Sequence, residues 1–309
     1  GFERHRRLLI KTVCKGTLMK EIVVISGKGG TGKTSITAAF AVLAGSDIVL
    51  ADCDVDAADM HLLMKPDFAQ KETFYSGETA RIIQNNCTSC GKCLEVCRFN
   101  AISIIHDQYI VNPLSCEGCG YCARVCPTET IVNEIPKIGE WYISKTRTQG
   151  TMVHAKLNIG ADNSGKLVAK VKNEARQITE NLGKEIILID GSPGIGCPVV
   201  SSLSGASFVV LVTEPTVSGL HDLIRVCQLI KNFNLPAGCM INKSDINPQK
   251  SKEIMAFLNE NNIPLITELP YNEQFSAAMT MGKTIVEIED KQLSELIAKA
   301  WNTITNKYV

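Results

Sequence analysis

The sequence predicts an α/β fold with a doubly wound, mostly parallel sheet that is interrupted once by a cysteine-rich segment. Short runs rich in isoleucine and valine alternate with helix-like stretches over most of the 309 residues. This alternation is typical of right-handed βαβ units whose strands share one parallel sheet. The cysteine-rich segment, Asn86–Val132, carries eight cysteines in two groups of equal spacing. We therefore expect a main domain of residues 19–85 and 133–309 with a module, 86–132, inserted into it.

Six runs are predicted to be buried parallel strands, and four stretches to be helices between them. The strands are Glu21–Ser26, Asp47–Asp52, Glu185–Asp190, Phe208–Glu214, Gly238–Asn242 and Leu265–Pro270. The helices are Lys33–Ala44, Gly165–Leu182, Leu220–Asn232 and Gln249–Asn261. Gly183 is predicted to cap the second helix. The stretches that flank the cysteine-rich segment, Phe74–Ile83 and Trp141–Leu157, are expected to be extended connectors.

The two ends of the chain carry separate predictions. Asp290–Lys307 has apolar residues at helical spacing and few basic ones, so we expect a helix packed on the sheet; a membrane-surface helix is the alternative. Residues 1–18 are basic, and their apolar run is too short for a secretory signal. We expect them to be an added leader before a natural start at Met19, with a genuine basic arm as the alternative.

Composition narrows the class of partner. The formal net charge is zero, with 32 basic and 32 acidic residues, so neither nucleic acid nor an anionic membrane is the expected partner. No apolar run approaches the roughly 18 residues that span a bilayer. Thirteen cysteines in a chain of this size, without a secretory signal, favour metal ligation in a reducing cytoplasm over disulfides.

One stretch fits the phosphate-loop pattern G-x-x-x-x-G-K-T, and it lies between a predicted strand and a predicted helix, as the motif requires. Its residues are Gly27, Lys28, Gly29, Gly30, Thr31, Gly32, Lys33 and Thr34. Backbone amides of such a loop wrap the phosphates of a nucleotide at a helix N-terminus. Lys33 is expected to reach the β- and γ-phosphates, and the Thr34 hydroxyl to bind Mg²⁺.

Carboxylates follow two of the predicted strands. Asp190 ends one strand and leads into Gly191–Gly194, which suits a Walker B residue that holds Mg²⁺ through water, with a loop that senses the γ-phosphate. Four more carboxylates end another strand or follow it: Asp52, Asp54, Asp56 and Asp59. We expect at least one of these four to act on the attacking water or on the metal.

A second stretch, Gly160–Leu167, also fits G-x-x-x-x-G-K. It lacks the serine or threonine that binds Mg²⁺, and no clean strand precedes it. We expect a helix-capping loop, which can face a partner, rather than a second nucleotide site.

The phosphate loop resembles that of a known group. Lys28 matches the extra lysine of the deviant Walker A motif, and the motifs Asp52-x-Asp54 and Asp190-Gly-Ser-Pro-Gly accompany it. Together they resemble the MinD/Mrp/nitrogenase-iron-protein superfamily of P-loop ATPases over nearly everything from Met19 onward. The resemblance implies an ATP-dependent sandwich homodimer in which Lys28 contacts the nucleotide of the opposite subunit.

The same resemblance implies roles for three further residues. Asp54 matches the switch I aspartate that orients the attacking water, and Asn242 stands where relatives read adenine; a loop asparagine that ends a strand is its alternative. Cys197 lies seven residues after Asp190, where the nitrogenase iron protein has a cysteine of its dimer-bridging cluster. No cysteine lies between Cys126 and Cys197, so a structural thiol is the alternative to a metal ligand or redox thiol.

The eight cysteines of the module have ferredoxin spacing, C-x₂-C-x₂-C-x₃-C, and each member of the second group lies 29 positions after its counterpart. In such runs the fourth cysteine ligates the other cluster. One [4Fe–4S] cluster is expected on Cys87, Cys90, Cys93 and Cys126, and the other on Cys97, Cys116, Cys119 and Cys122. Two structural zinc sites are the alternative. The remaining thiols are expected to be leader or core residues: Cys14, Cys53, Cys227 and Cys239.

Three functions remain open from the sequence. The first is an Mg²⁺-dependent ATPase that gates electron transfer from two [4Fe–4S] clusters to a redox partner. The second is an ATP-dependent factor that assembles or carries an iron–sulfur or other metal cluster for a target protein. The third, less favoured because the C-terminal stretch is weakly basic, is a MinD-like positioning ATPase.

Overall fold

In the computed structural model the described residues are 19–161 and 164–309. The expected leader, Cys14 within it, and residues 162–163 of the second phosphate-loop-like stretch lie outside them. The strands of the described part are β1 (Lys20–Ile25), β2 (Ile48–Asp52), β3 (Gln70–Tyr75), β4 (Thr79–Ile82), β5 (Ile102–Ile105), β6 (Gln108–Val111), β7 (Ile131–Glu134), β8 (Lys137–Lys145), β9 (Thr151–Leu157), β10 (Ile186–Asp190), β11 (Phe208–Thr213), β12 (Ala237–Asn242) and β13 (Leu265–Leu269).

The α-helices of the same residues cover both faces of the main sheet and the two short turns of the cysteine-rich segment. They are α1 (Lys33–Ala44), α2 (Met60–Met64), α3 (Lys92–Val96), α4 (Tyr121–Val125), α5 (Ser164–Asn181), α6 (Cys197–Leu203), α7 (Val217–Asn232), α8 (Pro248–Glu260), α9 (Gln274–Thr280) and α10 (Lys291–Lys307). Gly183 follows α5 with φ +62°, in the left-handed conformation of a helix end. All six predicted strands and four predicted helices are present, with ends shifted by at most three residues.

The main sheet has nine strands in the order β13-β12-β11-β1-β10-β2-β9-β8-β3. Strands β13 to β9 are parallel, whereas β8 is antiparallel to β9 and β3 is antiparallel to β8. The sequence suggested that Trp141–Leu157 and Phe74–Ile83 are connectors, and this was wrong for both. The first supplies most of β8 and all of β9, and the second contains the end of β3 and all of β4. Polar residues interrupt the apolar pattern of the first stretch for two reasons: β8 is only partly covered, and β9 buries the polar residues Thr151 and His154, the latter bonded to Ser144 of β8.

The sheet separates two apolar cores, as a doubly wound fold requires. On β1, Val23 and Ile25 face one core with α5, α7 and α8, while Ile22 and Val24 face the other with α1 and α10. Helix α10 buries its apolar face in this second core, where Trp301 lies against Phe40 at 5.2 Å between ring centroids. The prediction of a packed helix is confirmed. Among residues 19–161 and 164–309, no helix has the length and apolar content to cross a bilayer.

The cysteine-rich segment lies outside the main sheet, between β3 and β8. Strands β4 and β7 form an antiparallel ribbon at its base, and β5 and β6 form a hairpin. The core that the segment forms with β4 is small: its buried residues are Ala80, Ile82, Cys93, Ile102 and Ile131. Several large apolar side chains remain exposed at its surface, including Ile104 and Leu114.

Candidate functional site

The candidate nucleotide site lies at the carboxyl edge of the parallel strands, where β1, β10 and β2 run side by side. In the pairing register, Val24 of β1 is beside Asp190, and Asp190 is beside Asp52. The loop Gly27–Thr34 follows β1 and leads into α1. Ligands of open parallel sheets bind outside the carboxyl ends of the strands. The fold therefore brings the phosphate loop and the carboxylates to one place.

Lys33 is the centre of a buried polar network. Its Nζ donates to Oδ1 of Asp190 at 2.9 Å and to Oδ2 of Asp54 at 3.2 Å. Burial by itself lowers the pKa of Lys33, but Asp190, Asp54 and Asp52 outweigh burial, and the pKa is raised above its ordinary value. The lysine therefore remains a cation, which can exchange these carboxylates for phosphate oxygens.

Asp190 is fully buried and is held by hydroxyl groups as well as by Lys33. Thr34 Oγ1 donates to its Oδ2 at 2.8 Å, and Thr37 Oγ1 lies 3.0 Å from its Oδ1. Thr37 was missed by the sequence reasoning, although it lies one helical turn after Lys33 and hence on the same face of α1. The pairing of Asp190 with Thr34 matches the two groups that hold Mg²⁺ in P-loop sites.

The carboxyl groups at the end of β2 and after it place further acidic side chains close to Asp190. Burial raises the pKa of Asp52 well above its ordinary value, and Asp190 adds to the rise while Lys33 opposes it. Burial also raises the pKa of Asp54, again against Lys33. Three carboxylates thus share one buried lysine, an imbalance that a divalent cation would correct. Asp56 and Asp59 border an adjoining cavity together with Asp52.

Lys28 folds back onto its own chain. Its Nζ lies 2.6 Å from Oε1 of Glu214 and donates to Ser218 Oγ at 2.9 Å. Lys243 holds the other oxygen of Glu214 at 2.8 Å. Burial raises the pKa of Glu214, but the hydrogen bonds from Lys243 and Lys28 outweigh it, so the pKa is lowered. The carboxylate is therefore an ionised anchor for both lysines.

Glu214 is the second residue that the sequence reasoning missed. A usable signal was present, because the strand predicted over Phe208–Glu214 ends at the same edge of the sheet as Asp190. An acidic residue at that edge is a natural partner for a lysine of the phosphate loop.

Asn242 lies against the phosphate loop. Its Nδ2 donates to the carbonyl of Thr31 at 2.8 Å, and its Oδ1 accepts from the amide of Lys243 at 3.0 Å. Gly32 has φ +88°, and a Cβ added there would come within 2.4 Å of Asn242 Nδ2. Asn242 thus supports the loop in this conformation, and its contact with adenine stays a prediction.

The eight cysteines of the module line two small cavities, four thiols to each. The first cradle consists of Cys87, Cys90, Cys93 and Cys126. The second cradle consists of Cys97, Cys116, Cys119 and Cys122. The fourth cysteine of each run lies with the first three of the other, which is the crossed arrangement that the spacing predicts. Within residues 19–161 and 164–309, no three His, Cys, Asp or Glu side chains lie close enough to hold a single metal ion.

Hydrogen-bond donors point at thiols of both cradles. In the second, the amide of Ala80 donates to Cys116 Sγ at 3.5 Å and that of Ala101 to Cys97 Sγ at 3.4 Å. In the first, Cys126 Sγ lies 3.4 Å from the Thr130 hydroxyl. Such donors stabilise sulfur in its thiolate form, the form that ligates iron.

The other cysteines lie apart from both cradles. Cys197 is exposed at the first residue of α6, beside the start of α5, where a Cβ on Gly165 would lie 3.1 Å from its own Cβ. Cys53, Cys227 and Cys239 are buried, which confirms them as core residues. Burial raises the pKa of Cys227 to about 12, so this thiol stays neutral.

One prediction for the second phosphate-loop-like stretch, Gly160–Leu167, was wrong: that no strand precedes it. Strand β9 does precede it, ending at Leu157, although the polar residues of β9 concealed the strand in the sequence. Ser164 begins α5 directly, so a helix does follow. The stretch still lacks a hydroxyl residue after Lys166, and the carboxylate network around Asp190 belongs to the other loop.

Comparison with known proteins agrees with this geometry. The profile of the CobQ/CobB/MinD/ParA nucleotide binding domain matches residues 22–285. The uncharacterized protein MJ0578 of Methanocaldococcus jannaschii is 36% identical over 238 residues, which is 75% of this chain and 80% of that protein. The uncharacterized protein MJ0579 of the same organism is 26% identical over 277 residues, covering 88% of this chain and 93% of the relative.

Solved structures share the fold. The septum site-determining protein MinD of Pyrococcus horikoshii, complexed with Mg-ADP, superposes with a TM-score of 0.56 at 18% identity, covering 93% of this chain and 96% of that one. MinD in the MinC:MinD complex of Aquifex aeolicus gives 0.55 at 16% identity, covering 94% and 97%. The fold is thus the mostly parallel P-loop fold of MinD/ParA type. The chain belongs to the CobQ/CobB/MinD/ParA nucleotide-binding family and is a P-loop ATPase.

Proposed function

We propose that this ATPase couples its nucleotide state to two [4Fe–4S] clusters and acts as an ATP-gated electron-transfer protein. The observation that carries the proposal is the sorting of eight thiols into two cavities of four, each with one thiol from the other run. The repeated C-x₂-C-x₂-C-x₃-C spacing, with one thiol of each cradle supplied by the other run, favours a [4Fe–4S] cluster over zinc in each cradle. The module boundaries 86 and 132 are part of the proposal.

For ATP hydrolysis we assign roles to the residues of the network. Lys33 exchanges Asp190 and Asp54 for the β- and γ-phosphates, which leaves Asp190 and Thr34 free to hold Mg²⁺. Asp54, released from Lys33, accepts a hydrogen bond from the attacking water and orients it towards the γ-phosphate. The backbone of Gly27–Thr34 surrounds the phosphates, and Asn242 reads adenine. The Mg-ADP complex of the Pyrococcus horikoshii protein supports the choice of nucleotide and metal.

We further propose a homodimer that closes on ATP. Lys28 leaves Glu214 and Ser218 and contacts the phosphates across the interface, where it stabilises negative charge in the transition state. Glu214 keeps Lys28 away from its own nucleotide until that contact forms. The Lys28–Glu214 ion pair is only partly exposed, so breaking it costs free energy. Dimer closure therefore depends on phosphates that replace Glu214 as the partner of Lys28.

In the module, the thiolates of the two cradles would hold the clusters. A bound [4Fe–4S] cluster supplies one-electron transfer at low potential. The amides of Ala80 and Ala101 and the hydroxyl of Thr130 direct hydrogen bonds at sulfur, and such contacts set the reduction potential. The electron acceptor is a separate redox protein that docks on the module.

Two other functions share the same ATPase. A cluster assembly or carrier role is favoured by Cys197, an exposed thiol at the start of α6, seven residues after Asp190. A positioning role is favoured by the fold alone, since the similar solved structures include MinD proteins. Against positioning, α10 uses its apolar face inside the core and leaves none for a lipid surface.

The direct test is anaerobic purification followed by iron and sulfide analysis and EPR. Electron transfer predicts about eight iron atoms per chain and two EPR-active clusters that survive repeated turnover with MgATP. A carrier predicts iron that leaves the protein for an apo-ferredoxin when MgATP is added. A chain that has no iron–sulfur absorbance but full ATPase activity would refute both cluster roles and favour the positioning role. Cys197→Ser serves as a matched thiol control that should keep its full iron content.

A further inference from the structure

The two cradles differ in their relation to the main domain. The cavity of the first is lined by Ile82 of β4 and by residues of the cysteine-rich segment alone. The second cradle also borders a cleft of about 570 Å³ towards the main sheet, into which Cys116 faces beside Leu114. The opposite wall of this cleft is the loop after β9, Asn158–Ala161, which we name the bridging loop. Only the second cradle, within the described residues, thus shares a cleft with the bridging loop.

The bridging loop and the segment are in direct contact. Gly160 has φ +73°, and a Cβ added there would lie 3.2 Å from Leu114 Cδ2, so the leucine packs on the glycine backbone. Leu114 is two residues before Cys116. Behind it, Gly118 packs against Glu78, with no room for a Cβ, which would approach the Glu78 carbonyl to 2.3 Å. Leu114 is largely exposed but touches Gly160, and it lies two residues before Cys116, so a displacement of Leu114 moves the chain that carries a ligand of the second cradle.

Residues on either side of the bridging loop contact the two segments that follow β2 and β10. The amide of Leu157, the residue before the loop, donates to the carbonyl of Val55, the residue after Asp54, at 3.1 Å. The loop itself shares with Asp52 a cavity beside the nucleotide site. In α5, Gly165 packs on Cys197, which follows Asp190 by seven residues. Movement of the segment after Asp54 therefore reaches the loop through Leu157, and movement of the segment after Asp190 reaches the start of α5.

Helix α5 makes this route stiff. Lys172 of α5 is buried and donates to the carbonyls of Ser202, at 2.5 Å, and Ser204, at 2.7 Å, at the far end of α6. With Gly165 on Cys197 at the near end, α5 grips α6 at both ends. These contacts couple the two helices, and α5 begins three residues after the bridging loop ends; residues 162–163 between them lie outside the described part of the chain.

We propose that the bridging loop transmits the nucleotide state to the second cradle, so that the site of Cys97, Cys116, Cys119 and Cys122 responds to ATP and the first cradle does not. The inference rests on the proposed function for what the cradles hold, but the contact itself is a property of the chain. If the segments that carry Val55 and Cys197 have two conformations, ATP shifts the equilibrium between them by the ratio of its affinities for the two. Leu114 is the residue through which the shift reaches the module.

The test is hydrogen–deuterium exchange of the full chain, purified anaerobically, with and without a non-hydrolysable ATP analogue and Mg²⁺. We expect a several-fold change in exchange rate over residues 114–122 and none over 87–96. Leu114→Ala should abolish the change at 114–122 and leave the changes at 54–57 and 190–197 intact. Leu114→Met, which keeps a side chain on Gly160, should restore the response.

The matched control is Ile104→Ala, which removes an aliphatic side chain of the same segment that is 52% exposed, against 72% for Leu114. It should respond to the nucleotide as the wild type does. An unchanged response in Leu114→Ala, or an equal response of both cradles in the wild type, would overturn the inference. If Leu114→Ala fails to fold, the wild-type comparison of the two cradles still decides.

The same samples separate this inference from the proposed function. A chain that binds no iron but whose residues 114–122 respond to the nucleotide would refute electron transfer and support the loop. A chain with two clusters whose residues 114–122 ignore the nucleotide would refute the loop and leave electron transfer to be explained by another route.

Discussion

The nucleotide site and the cysteine-rich segment differ in what holds them together. At the nucleotide site, Asp190 at the end of β10 is hydrogen-bonded to Lys33 and lies 3.0 Å from the hydroxyl of Thr37. The sheet that carries it has a large apolar core on each face. The cysteine-rich segment has five buried residues in its core and exposes several large apolar side chains. One region has extensive apolar packing, whereas the other has a core so small that we expect bound groups to contribute to its stability.

The difference suggests how the proposed coupling would work. The main domain has two large cores, so we expect nucleotide-dependent movement to be confined to the segments that follow Asp54 and Asp190. The cysteine-rich segment has a small core, so we expect it to respond to small displacements of its walls. The contact of Gly160 with Leu114 joins the two regions.

The largest expected effect separates the two regions by chemistry. Asp54→Ala and Lys28→Ala should each lower the kcat of ATP hydrolysis by about 10³-fold or more, because one orients the water and the other supplies charge to the transition state. The visible absorbance of the iron–sulfur centres should be unchanged. Steady-state ATPase assays and anaerobic spectra measure both. Lys170→Ala, which removes an ion-paired lysine of α5, is the control; normal turnover in the two site variants would refute the assignment.

Removal of iron should destabilise the cysteine-rich segment and leave the main domain unchanged. A chelator under reducing conditions should raise the rate of proteolysis within 86–132 by about tenfold or more, because metal ligation replaces the missing core. The main domain should keep its thermal midpoint. Limited proteolysis with mass spectrometry reports the first effect, and scanning calorimetry reports the second.

The crossed ligand sets predict which of the two clusters each cysteine variant loses. Cys97→Ala should lose the cluster of the second cradle and keep the other, whereas Cys87→Ala should do the reverse. Loss of both clusters, or of neither, in Cys97→Ala would contradict the crossed arrangement. EPR of the reduced variants distinguishes these outcomes.

A smaller effect tests the rigidity of the nucleotide site. Thr37→Val removes the hydroxyl that lies 3.0 Å from Asp190 and leaves a buried carboxylate with one partner fewer. An unsatisfied buried acceptor costs about 1–3 kcal/mol. Because Asp190 is assigned to hold Mg²⁺, we expect the Thr37 contact to position it in the MgATP complex, so its loss should lower the affinity for MgATP by about tenfold. Isothermal titration calorimetry measures the change. Thr179→Val is the matched control, since its hydroxyl bonds to the carbonyl of Ala175 in α5, outside the network; an equal loss of affinity there would refute a specific role.

The smallest effect concerns the stability of the main domain with pH. Burial lowers the pKa of His154 from 6.5 to about 4, and His61 adds to the shift. Since the folded-state pKa is the lower one, the unfolded chain takes up the proton first, and stability is lost as the pH falls from 6.5 towards 4. At pH 5 the loss from this residue is about 2 kcal/mol. Urea unfolding of wild type and His154→Gln at pH 7.5 and 5.0 should show a smaller loss in the variant; equal losses would contradict the shift.

The parts of the molecule that the sequence predicts are those fixed by local pattern. The run Gly27–Thr34 carries its own turn, helix start and ligands, and the apolar strands around it are continuous because both faces are buried. The grouping of the cysteines also follows from short spacing. By contrast, Glu214 meets Lys28 only because strands far apart in sequence end at one edge, and no local pattern encodes that pairing. Strand β8 was missed because it is only partly covered and carries polar residues, and β9 because it buries a histidine whose partner, Ser144, is supplied by β8.

The coupling of the two regions is tested most directly by an EPR-monitored redox titration of the anaerobically purified protein, with and without MgATP. We predict that the nucleotide shifts the potential or the line shape of one cluster, and that the affected cluster is the one lost in Cys97→Ala. By linkage, reduction of that cluster would change the affinity for the nucleotide by the same factor. Two clusters whose potentials and line shapes are identical with and without MgATP would contradict the coupling.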